Sequence, residues 1–272
     1  MLILIFDTDG GLCNQFFDIN NGINFCLKNN VFFTFRHCAF RNDNLITWTE
    51  QSFEKLFDIS VFNKYNLYIN YYDIKNDLTD DNCFNLNDKK IAWMVFKHEN
   101  ILNQLINLNK KYVVLKQIAG LNQFKNFVDY TVNKHILPSN HIMEKYNEIK
   151  NVIINEPYNF IHYRYEKDFT SFFHINVETL DSVIEKVKFK NNGLKIYIAT
   201  TNIKTLINLK DSKYQNLLYK NDDLLGDLNF EERAFIDYMF GLNSIECYGH
   251  KNSSFSNTLN NLKQTNNYYN LL

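Results

Sequence analysis

Apolar residues recur along the chain in two spacings that predict alternating strands and helices. Leu2–Phe6 and Val31–Phe35 are short, nearly continuous apolar runs, typical of buried strands. Between them, Asn14–Leu27 places apolar side chains at helical intervals, after a polar turn that contains Gly10 and Gly11. The amino-terminal stretch therefore predicts a strand, a glycine loop, a helix and a second strand.

The second half of the chain shows the same alternation more regularly. The predicted order is strand Phe160–Arg164, helix Val177–Val187, strand Lys195–Ala199, helix Ile203–Leu209, strand Asn216–Tyr219, helix Glu231–Phe240, strand Ser244–Tyr248 and helix Ser254–Leu262. Four consecutive βα units predict a parallel sheet covered by helices. The middle of the chain is less regular, with helices predicted at 98–108 and 140–150 and a strand at 111–115. At 272 residues, the chain is predicted to form two α/β domains, 1–150 and 151–272.

The amino-acid composition limits which partners and which cellular location are expected. The formal net charge of −1 provides no basic field for a nucleic-acid backbone, so nucleic acid is not an expected partner. No run reaches the roughly 18 apolar residues of a membrane span, and Met1–Phe6 has neither the charge nor the length of a signal peptide. A cytoplasmic location is expected. The five cysteines include no CxxC pair, which predicts reduced thiols rather than a zinc site or a disulfide framework.

Ligands of parallel α/β sheets bind at the carboxyl ends of the strands, and three groups of polar residues fall at such ends. In the first, Gly10 and Gly11 precede Asn14 at the start of a helix. Glycine lets the backbone approach a ligand closely and leaves helix N–H groups available to an anion. The alternative is an ordinary tight turn between strand and helix.

The second group is His162–Asp168, at the end of the first strand of the second half. Strand alternation would place His162, Arg164, Glu166 and Asp168 on one face. An arginine held by acids in this position can bind phosphate oxygens with two hydrogen bonds. The alternatives are a solvated ion-pair cluster and a histidine that belongs to the core.

The third group, Asn252–Ser256, opens the last predicted helix. Ser253 and Ser254 are good N-cap residues, and with the helix dipole their hydroxyl and amide groups can form an anion site. Helix capping alone would also account for these serines.

Together the three groups resemble the GDP-fucose fucosyltransferase superfamily, most closely its O-fucosyltransferase branch. The resemblance is carried by Gly-Gly-x-x-Asn-Gln at 10–15, His-x-Arg-x-Glu-x-Asp at 162–168, Ser-Ser-Phe-Ser at 253–256 and the acidic segment 233–239. It is strongest over 1–30 and 155–265. The resemblance implies a GT-B-like α/β fold of two Rossmann-like domains with parallel sheets facing across a cleft. It also implies inverting, metal-independent transfer of fucose from GDP-fucose to a protein or glycan hydroxyl, with no other cofactor.

The resemblance also implies roles for single residues. Arg164 would bind the β-phosphate of GDP and offset the charge on the leaving group, and His162 would hold the nucleotide or support Arg164. Asn14, in the loop with Gly10 and Gly11, would contact the donor from the opposite domain. Asp237 would recognise guanine, and Ser253, Ser254 and Phe255 would surround the pyrophosphate.

Two features remain open within the resemblance. The acceptor hydroxyl needs a base, for which the candidates are Asp9, Glu166 and Asp168, with Asp9 ranked first. Cys13 stands where the family usually has a small residue, so the glycine loop is expected to be less permissive.

Two rival functions compete with the transferase. Asp7-Thr8-Asp9-Gly10 after an apolar strand also resembles the first motif of haloacid dehalogenase-type phosphatases, with Asp7 as nucleophile, Asp9 as acid and base, and Mg²⁺ as countercharge. In such a phosphatase Thr200 or Thr201 would supply the second motif and Asp222-Asp223 the metal-binding acids, while the groups at 162–168 and 253–256 would have no role. The other rival is a binding module that kept the fold and lost catalysis.

Overall fold

The structure is a computed structural model that describes residues 1–42, 47–86, 101–116, 136–166, 169–171, 174, 176–190, 193–220 and 222–265. The chain forms two compact units: 1–140 with 229–231, and 141–228 with 232–272. The expected boundary at 150 falls inside the helix Asn140–Ile153. Tyr146 of that helix packs on Phe240 with ring centroids 4.9 Å apart, which assigns the helix to the second unit.

The first unit contains a five-stranded sheet of order β3-β2-β1-β5-β4. Its strands are β1 (Ile3–Asp7), β2 (Phe32–Arg41), β3 (Trp48–Ser52), β4 (Cys83–Asn85) and β5 (Tyr112–Lys116). The β1–β2, β1–β5 and β4–β5 pairs are parallel, and the edge strand β3 runs antiparallel to β2. The predicted strands at 2–6, 31–35 and 111–115 are therefore present within one or two residues, while β2 is longer than expected.

A bulge interrupts the pairing of β1 with β2. Phe6 pairs with Phe35 whereas Asp7 pairs with His37, so Arg36 is an extra residue in β2. A bulge breaks the strict alternation of side chains and redirects them locally. As a result Arg36 and His37, which are consecutive in sequence, both contact Asp7.

In the part of the first unit that the structure describes, the helices are α1 (Leu12–Asn29), α2 (Tyr71–Ile74) and α3 (Ile101–Asn107). The predicted helices at 14–27 and 98–108 correspond to α1 and α3, although residues 98–100 lie outside the described residues. α1 ends at Asn29 and is capped by Asn30, which has a left-handed backbone (φ 53°). Phenylalanines fill the core beside β2: the Phe53 ring stacks on Phe35 at 4.8 Å and on Phe57 at 4.6 Å.

The second unit contains a four-stranded sheet of order β8-β7-β6-β9, in which all strand pairs are parallel. Its strands are β6 (Tyr158–His162), β7 (Lys195–Ala199), β8 (Leu217–Leu218) and β9 (Cys247–Tyr248). β7 coincides with its predicted range. β6 begins two residues earlier than predicted and ends at His162, which leaves Arg164 beyond the strand.

Within the described residues, the second unit has helices α4 (Asn140–Ile153), α5 (Leu180–Lys190), α6 (Asp222–Leu225), α7 (Phe230–Asn243, whose first residues join the first unit) and α8 (Ser254–Lys263). The helix predicted over 203–209 is wrong. The structure has only a single 3-10 turn there, Ile203–Thr205, in which the Asn202 side chain accepts a hydrogen bond from the Lys204 N–H.

The two sheets with their flanking helices are Rossmann-like, and the GT-B-like α/β class expected from the sequence is confirmed. All five cysteines are free thiols. None of the helices among the described residues has the length and apolar character that a bilayer crossing requires.

Gly241 permits close packing of α7 against α8 in the second unit. A Cβ at this position would lie 2.5 Å from Leu259 Cδ1 and 3.3 Å from the Phe160 ring, and both side chains are fully buried. We expect Gly241→Ala to lower the free energy of unfolding by about 1–3 kcal/mol, although alanine is the better helix former by about 1 kcal/mol. Chemical denaturation measures the change.

The matched control is Asn261→Ala on the exposed face of α8, which should change the free energy of unfolding by no more than about 0.5 kcal/mol. A Gly241→Ala protein as stable as the parent would contradict the packing of α7 on α8 described above.

Candidate ligand sites at the carboxyl ends of the two sheets

In the second unit, Ser256 joins the end of β6 to the start of α8. The Ser256 Oγ lies 2.9 Å from His162 Nδ1 and accepts a hydrogen bond from the His250 backbone N–H at 3.1 Å. Gly249 allows this approach, because a Cβ there would lie 2.2 Å from the Ser256 Oγ. Residues 94 positions apart in sequence are thereby fixed to one another.

Burial lowers the pKa of His162 to about 3, and the positive charges of Arg164 and Lys220 and the neighbouring His250 act in the same direction. The imidazole ring also lies against Phe255, with ring centroids 4.3 Å apart. His162 is therefore a neutral side chain at physiological pH. It can exchange hydrogen bonds with a ligand, but it does not contribute positive charge to an anion site.

The positive charge at this position belongs to Arg164. Its guanidinium lies 5.0 Å from the centre of the Phe169 ring, and its Nε is 3.4 Å from Glu166 Oε2. The Glu166 Oε1 accepts a hydrogen bond from the Thr201 hydroxyl, just beyond the end of β7. Arg164 is held by an aromatic ring and a carboxylate while a quarter of its side chain remains exposed. That arrangement suits an arginine that binds an anion in a fixed orientation.

The strand alternation expected for the second group is wrong. β6 ends at His162, so the alternation does not extend to Arg164 and Glu166. These residues approach one another in the irregular segment after the strand, where the Phe169 and Thr170 N–H groups donate to the Glu166 carbonyl. Asp168, the third candidate base, lies outside the described residues.

The third group forms the amino-terminal end of α8, as the sequence predicts. Ser253 is the N-cap, and its Oγ accepts a hydrogen bond from the Ser256 N–H at 3.4 Å. Ser254, the first residue of the helix, is partly exposed, while Phe255 is buried. The first turn of α8 has no acidic side chain, so the partial positive charge of the helix terminus is not offset locally.

Asp237 lies on α7 and is hydrogen-bonded through both carboxylate oxygens. The Tyr197 hydroxyl donates to Oδ1 at 2.9 Å, and the Lys220 ammonium forms an ion pair with Oδ2. Burial raises the pKa of Asp237, and the Lys220 charge and these hydrogen bonds oppose that shift. Only 12% of its side chain is exposed, so this carboxylate is largely screened from solvent.

In the first unit, the buried side chain of Gln15 holds the glycine loop in place. Gln15 is fully buried; its amide group donates to the carbonyls of Gly10 (2.9 Å) and Ala39 (2.8 Å), and its oxygen accepts from the Thr8 hydroxyl (2.7 Å). Gly10 has a left-handed φ of 78°, which favours glycine. Asn14 is exposed on the first turn of α1 and is available to a ligand.

The expected anion site at the start of α1 is partly filled by the protein itself. The Leu12 N–H donates to Glu231 Oε2 at 2.9 Å, and Arg41 Nε lies 3.7 Å from Glu231 Oε1. Glu231 is completely buried and takes the position at the helix terminus that a phosphate would occupy. Gly11 serves here as an N-cap without a side-chain hydrogen bond.

Asp7 ends β1 in a buried ion pair. Both its oxygens contact Arg36, at 3.0 Å from Nε and 2.5 Å from Nη2, and its Oδ1 also accepts from the His37 N–H at 3.2 Å. Asp7, His37 and Glu50 place ligand-type atoms within 4.8 Å of one another, which is close enough for a metal ion. Arg36 neutralises Asp7, however, and Lys116 pairs with Glu50 at 2.6 Å, so the described charges are already balanced.

Asp9 follows in the loop and is mostly buried. One oxygen accepts from the Gly10 N–H at 2.8 Å, and the other lies 3.8 Å from the Lys116 Nζ. Only 11% of the side chain is exposed. Asp9 is thus a carboxylate beside a lysine, at the same sheet edge as Asp7.

Sequence reasoning assigned no role to several residues that shape these sites: Gln15, Glu231, Gly249, His250 and Ser256. Gln15 and Ser256 lie within the motifs at 10–15 and 253–256, and that position was the available signal. Glu231 gave no local signal, because it contacts Leu12 across 219 positions of sequence.

These observations define the class of the protein: it is an α/β protein of two Rossmann-like units, with polar groups at the carboxyl ends of both sheets. Its fold is that of solved fucosyltransferase structures. The structure matches POFUT1 in complex with GDP-fucose with a TM-score of 0.66 and 10% identity, over 99% of this chain and 98% of that one. It matches fucosyltransferase NodZ from Bradyrhizobium with a TM-score of 0.59 and 11% identity, over 95% and 92%. It matches NodZ α-1,6-fucosyltransferase co-crystallized with GDP with a TM-score of 0.59 and 10% identity, over 95% of this chain and 92% of that one.

No protein-family model matches the chain, and no curated protein matches its sequence. The similarity inferred from the motifs is confirmed as a similarity of fold. At 10–11% identity it does not extend by itself to the reaction.

The neutral state of His162 predicts how stability changes with pH. Unfolded histidine binds a proton below about pH 6.5, whereas folded His162, with a pKa of about 3, resists protonation far below that pH. Acidification within this window favours the unfolded chain, so the free energy of unfolding falls as pH is lowered. We expect His162→Asn to reduce that fall by up to about 1 kcal/mol per pH unit.

Urea denaturation of both proteins between about pH 7 and 5 measures the difference, in which the contributions of other groups cancel. His141→Asn, on the exposed face of α4, is the control and should retain the parent slope. Identical slopes for the parent and His162→Asn would show that His162 is not buried as a neutral ring.

Proposed function

We propose that the protein is a glycosyltransferase that transfers fucose from GDP-fucose to a hydroxyl of a glycan or protein acceptor. The observation that carries the proposal is the cluster of Arg164, His162 and the α8 terminus, held by Ser256 and Phe169 at the carboxyl edge of a parallel sheet. The fold shared with POFUT1 in complex with GDP-fucose supports the choice of nucleotide and sugar.

The reaction needs a fixed positive charge where the diphosphate leaves. The acceptor oxygen forms a bond to the anomeric carbon, the bond from that carbon to the β-phosphate oxygen breaks, and the acceptor proton passes to a base. Negative charge grows on the departing GDP, and a fixed cation with helix amide donors stabilises it. Arg164 supplies the cation, and Ser253, Ser254 and the first turn of α8 supply the donors. Attack opposite the leaving group would invert the anomeric centre.

The same organisation supports transfer without a metal ion. Arg164 and the amino-terminal end of α8 provide the positive potential that a divalent cation would otherwise supply. Asp237, with Lys220 beside it, is the proposed reader of the guanine edge. Gly10, Gly11 and Asn14 are proposed to contribute donor contacts from the first unit.

Two carboxylates are proposed as candidate bases. Glu166 is engaged by Thr201 and lies near Arg164, and Asp9 lies near Lys116. Asp9 remains the first choice, because Glu166 lies beside Arg164, the residue proposed to bind phosphate, and Asp9 does not.

The cytoplasmic location and the absence of nucleic acid as a partner stay predictions.

The phosphatase alternative requires Asp7 to attack a phosphate. Its side chain is fully buried, and both oxygens are bound by Arg36. A carboxylate in this state is poorly placed as a nucleophile. The charges that the phosphatase would need for Mg²⁺ are already neutralised, so the geometry favours the transferase.

Loss of Arg164 should remove the main charge contact to the diphosphate. We expect Arg164→Ala to weaken GDP binding about 10- to 100-fold, since a charge-assisted hydrogen bond contributes about 1.5–3 kcal/mol. Arg164→Lys keeps the charge but loses the paired hydrogen bonds of the guanidinium, so its affinity for GDP should lie between those of the parent and Arg164→Ala. Titration calorimetry with GDP and GDP-fucose in EDTA measures each affinity.

Lys213→Ala is the control, because Lys213 is a surface cation of the same unit that pairs with Asp181. GDP binding in EDTA that is indifferent to Arg164 would overturn the proposed nucleotide site. Binding that appears only with a divalent cation would overturn the metal-independent mechanism.

Asp7→Asn separates the transferase from the phosphatase. The change leaves Arg36 without its buried countercharge, so we expect a loss of about 3 kcal/mol in the free energy of unfolding. GDP affinity, measured below the melting temperature, should stay within about twofold of the parent. A Mg²⁺-dependent phosphatase activity that Asp7→Asn abolishes would reverse the assignment.

A further inference from the structure

The first unit carries an open pocket of ≈ 260 Å³ beside β2 that the proposed donor chemistry does not use. It is formed by the bulge residues Arg36 and His37, by the end of β3, and by the segment that includes Tyr68, Tyr71 and Tyr72. The bulge matters here, because consecutive residues of a regular strand would point to opposite faces. Both Arg36 and His37 line the pocket while they also contact Asp7.

Aromatic rings with polar tips form much of the pocket wall. Tyr72 is 44% exposed, its hydroxyl is 3.2 Å from the Ser52 Oγ, and the Tyr71 ring meets it edge-on at 6.1 Å. Burial raises the pKa of Tyr68 to about 12, so that phenol keeps its proton and remains a donor. Such rings offer apolar faces to C–H groups and hydroxyls to polar groups of the same ligand.

The charges around the pocket balance. Arg36 is paired with Asp7, and the Lys75 ammonium lies over the Tyr72 ring at 4.6 Å. Glu54 adds a carboxylate to the lining. With positive and negative groups offsetting one another, the pocket does not favour a phosphate or another anion. It suits an uncharged ligand that both donates and accepts hydrogen bonds.

The volume sets the size of that ligand. Pockets for drug-sized molecules run from about 300 to 1,000 Å³, so ≈ 260 Å³ accommodates a single ring with its substituents. A sugar ring has the required chemistry, with apolar C–H faces for tyrosine and hydroxyls for arginine, lysine, serine and glutamate. An extended peptide would instead need a longer groove.

We propose that this pocket binds one neutral sugar ring of the acceptor, which makes the acceptor a glycan. That the bound sugar belongs to an acceptor rests on the proposed function, whereas the binding of a sugar by the pocket does not. Arg36 and His37 connect the pocket to Asp7 at the carboxyl end of β1, two residues before Asp9. Lys116, which pairs with Glu50 and lies near Asp9, belongs to the same edge. A sugar held here lies on the edge that carries the first-choice base.

Saturation-transfer difference NMR on the full chain tests the proposal with glucose, galactose, N-acetylglucosamine and lactose as separate probes. At least one sugar should bind saturably in the millimolar range, and Tyr72→Ala should weaken it about tenfold by removing the stacking face. Tyr72→Phe keeps the ring and should stay within about threefold. Lys75→Ala should also weaken sugar binding, because it removes a hydrogen-bond donor from the same wall of the pocket.

Trp48→Ala is the matched control, because Trp48 is an exposed aromatic residue of the same unit outside the pocket lining. GDP affinity, measured in parallel, should be unchanged in all four variants. Sugar binding without GDP binding would leave the pocket assignment intact and rule out the transferase. GDP binding without sugar binding, or sugar binding indifferent to Tyr72 and Lys75, would overturn the pocket assignment.

Two further probes distinguish other ligand classes. Inorganic phosphate and a short serine- and threonine-containing peptide are titrated against the parent and Tyr72→Ala proteins. Neither should bind in a Tyr72-dependent manner. Tyr72-dependent binding of phosphate would show that the pocket binds an anion, and Tyr72-dependent binding of the peptide would show that it binds a protein acceptor. Either result would overturn the glycan assignment.

Discussion

The contact between Gly249 and Ser256 is the constraint on which the proposed nucleotide site of the second unit depends. A Cβ on Gly249 would lie 2.2 Å from the Ser256 Oγ, so any larger residue would push α8 away from β9. Because Ser256 also lies 2.9 Å from His162 Nδ1, displacement of α8 would break the link to the end of β6. The relative placement of the helix terminus and the strand end is therefore set by backbone proximity. Preorganisation of this kind lets donors stabilise a leaving group without moving.

Each unit has a turn that leads into a helix, but the amino-terminal ends of the two helices, α1 and α8, differ in their capacity to bind an anion. At α1 the terminal N–H of Leu12 is satisfied by the buried Glu231, and Gln15 fixes the glycine loop from inside. At α8 the N-cap is Ser253, and no acid lies in the first turn. Capacity for an anion is thus greater in the second unit, whereas the first unit presents balanced charges and tyrosines. This division agrees with the proposal that the second unit binds a charged donor and the first unit an uncharged sugar of the acceptor.

Local patterns could predict elements that are buried on both faces, such as β1 and β7, because a short apolar run between polar turns is typical of a buried strand. The edge strand β3 was not predicted, since Trp48–Ser52 is largely exposed and nearly devoid of apolar residues. The seven residues 203–209 have helical spacing but are too few to decide between a helix and a 3-10 turn. The bulge at Arg36 and the contact of Glu231 with Leu12 depend on partners 29 and 219 positions away, which no local window contains.

A fold shared at 10% identity over 99% of the chain shows how little of a sequence the fold requires. Buried positions need only an apolar residue of suitable volume, as in β7, where Ile196, Tyr197 and Ile198 fill the core. Function has stricter demands, because a charge misplaced by about 1 Å loses much of its effect on a transition state. The proposed fucosyl transfer therefore depends on the contacts that hold Arg164 and His162 in place, and the fold supplies the sheet edge on which those contacts can form.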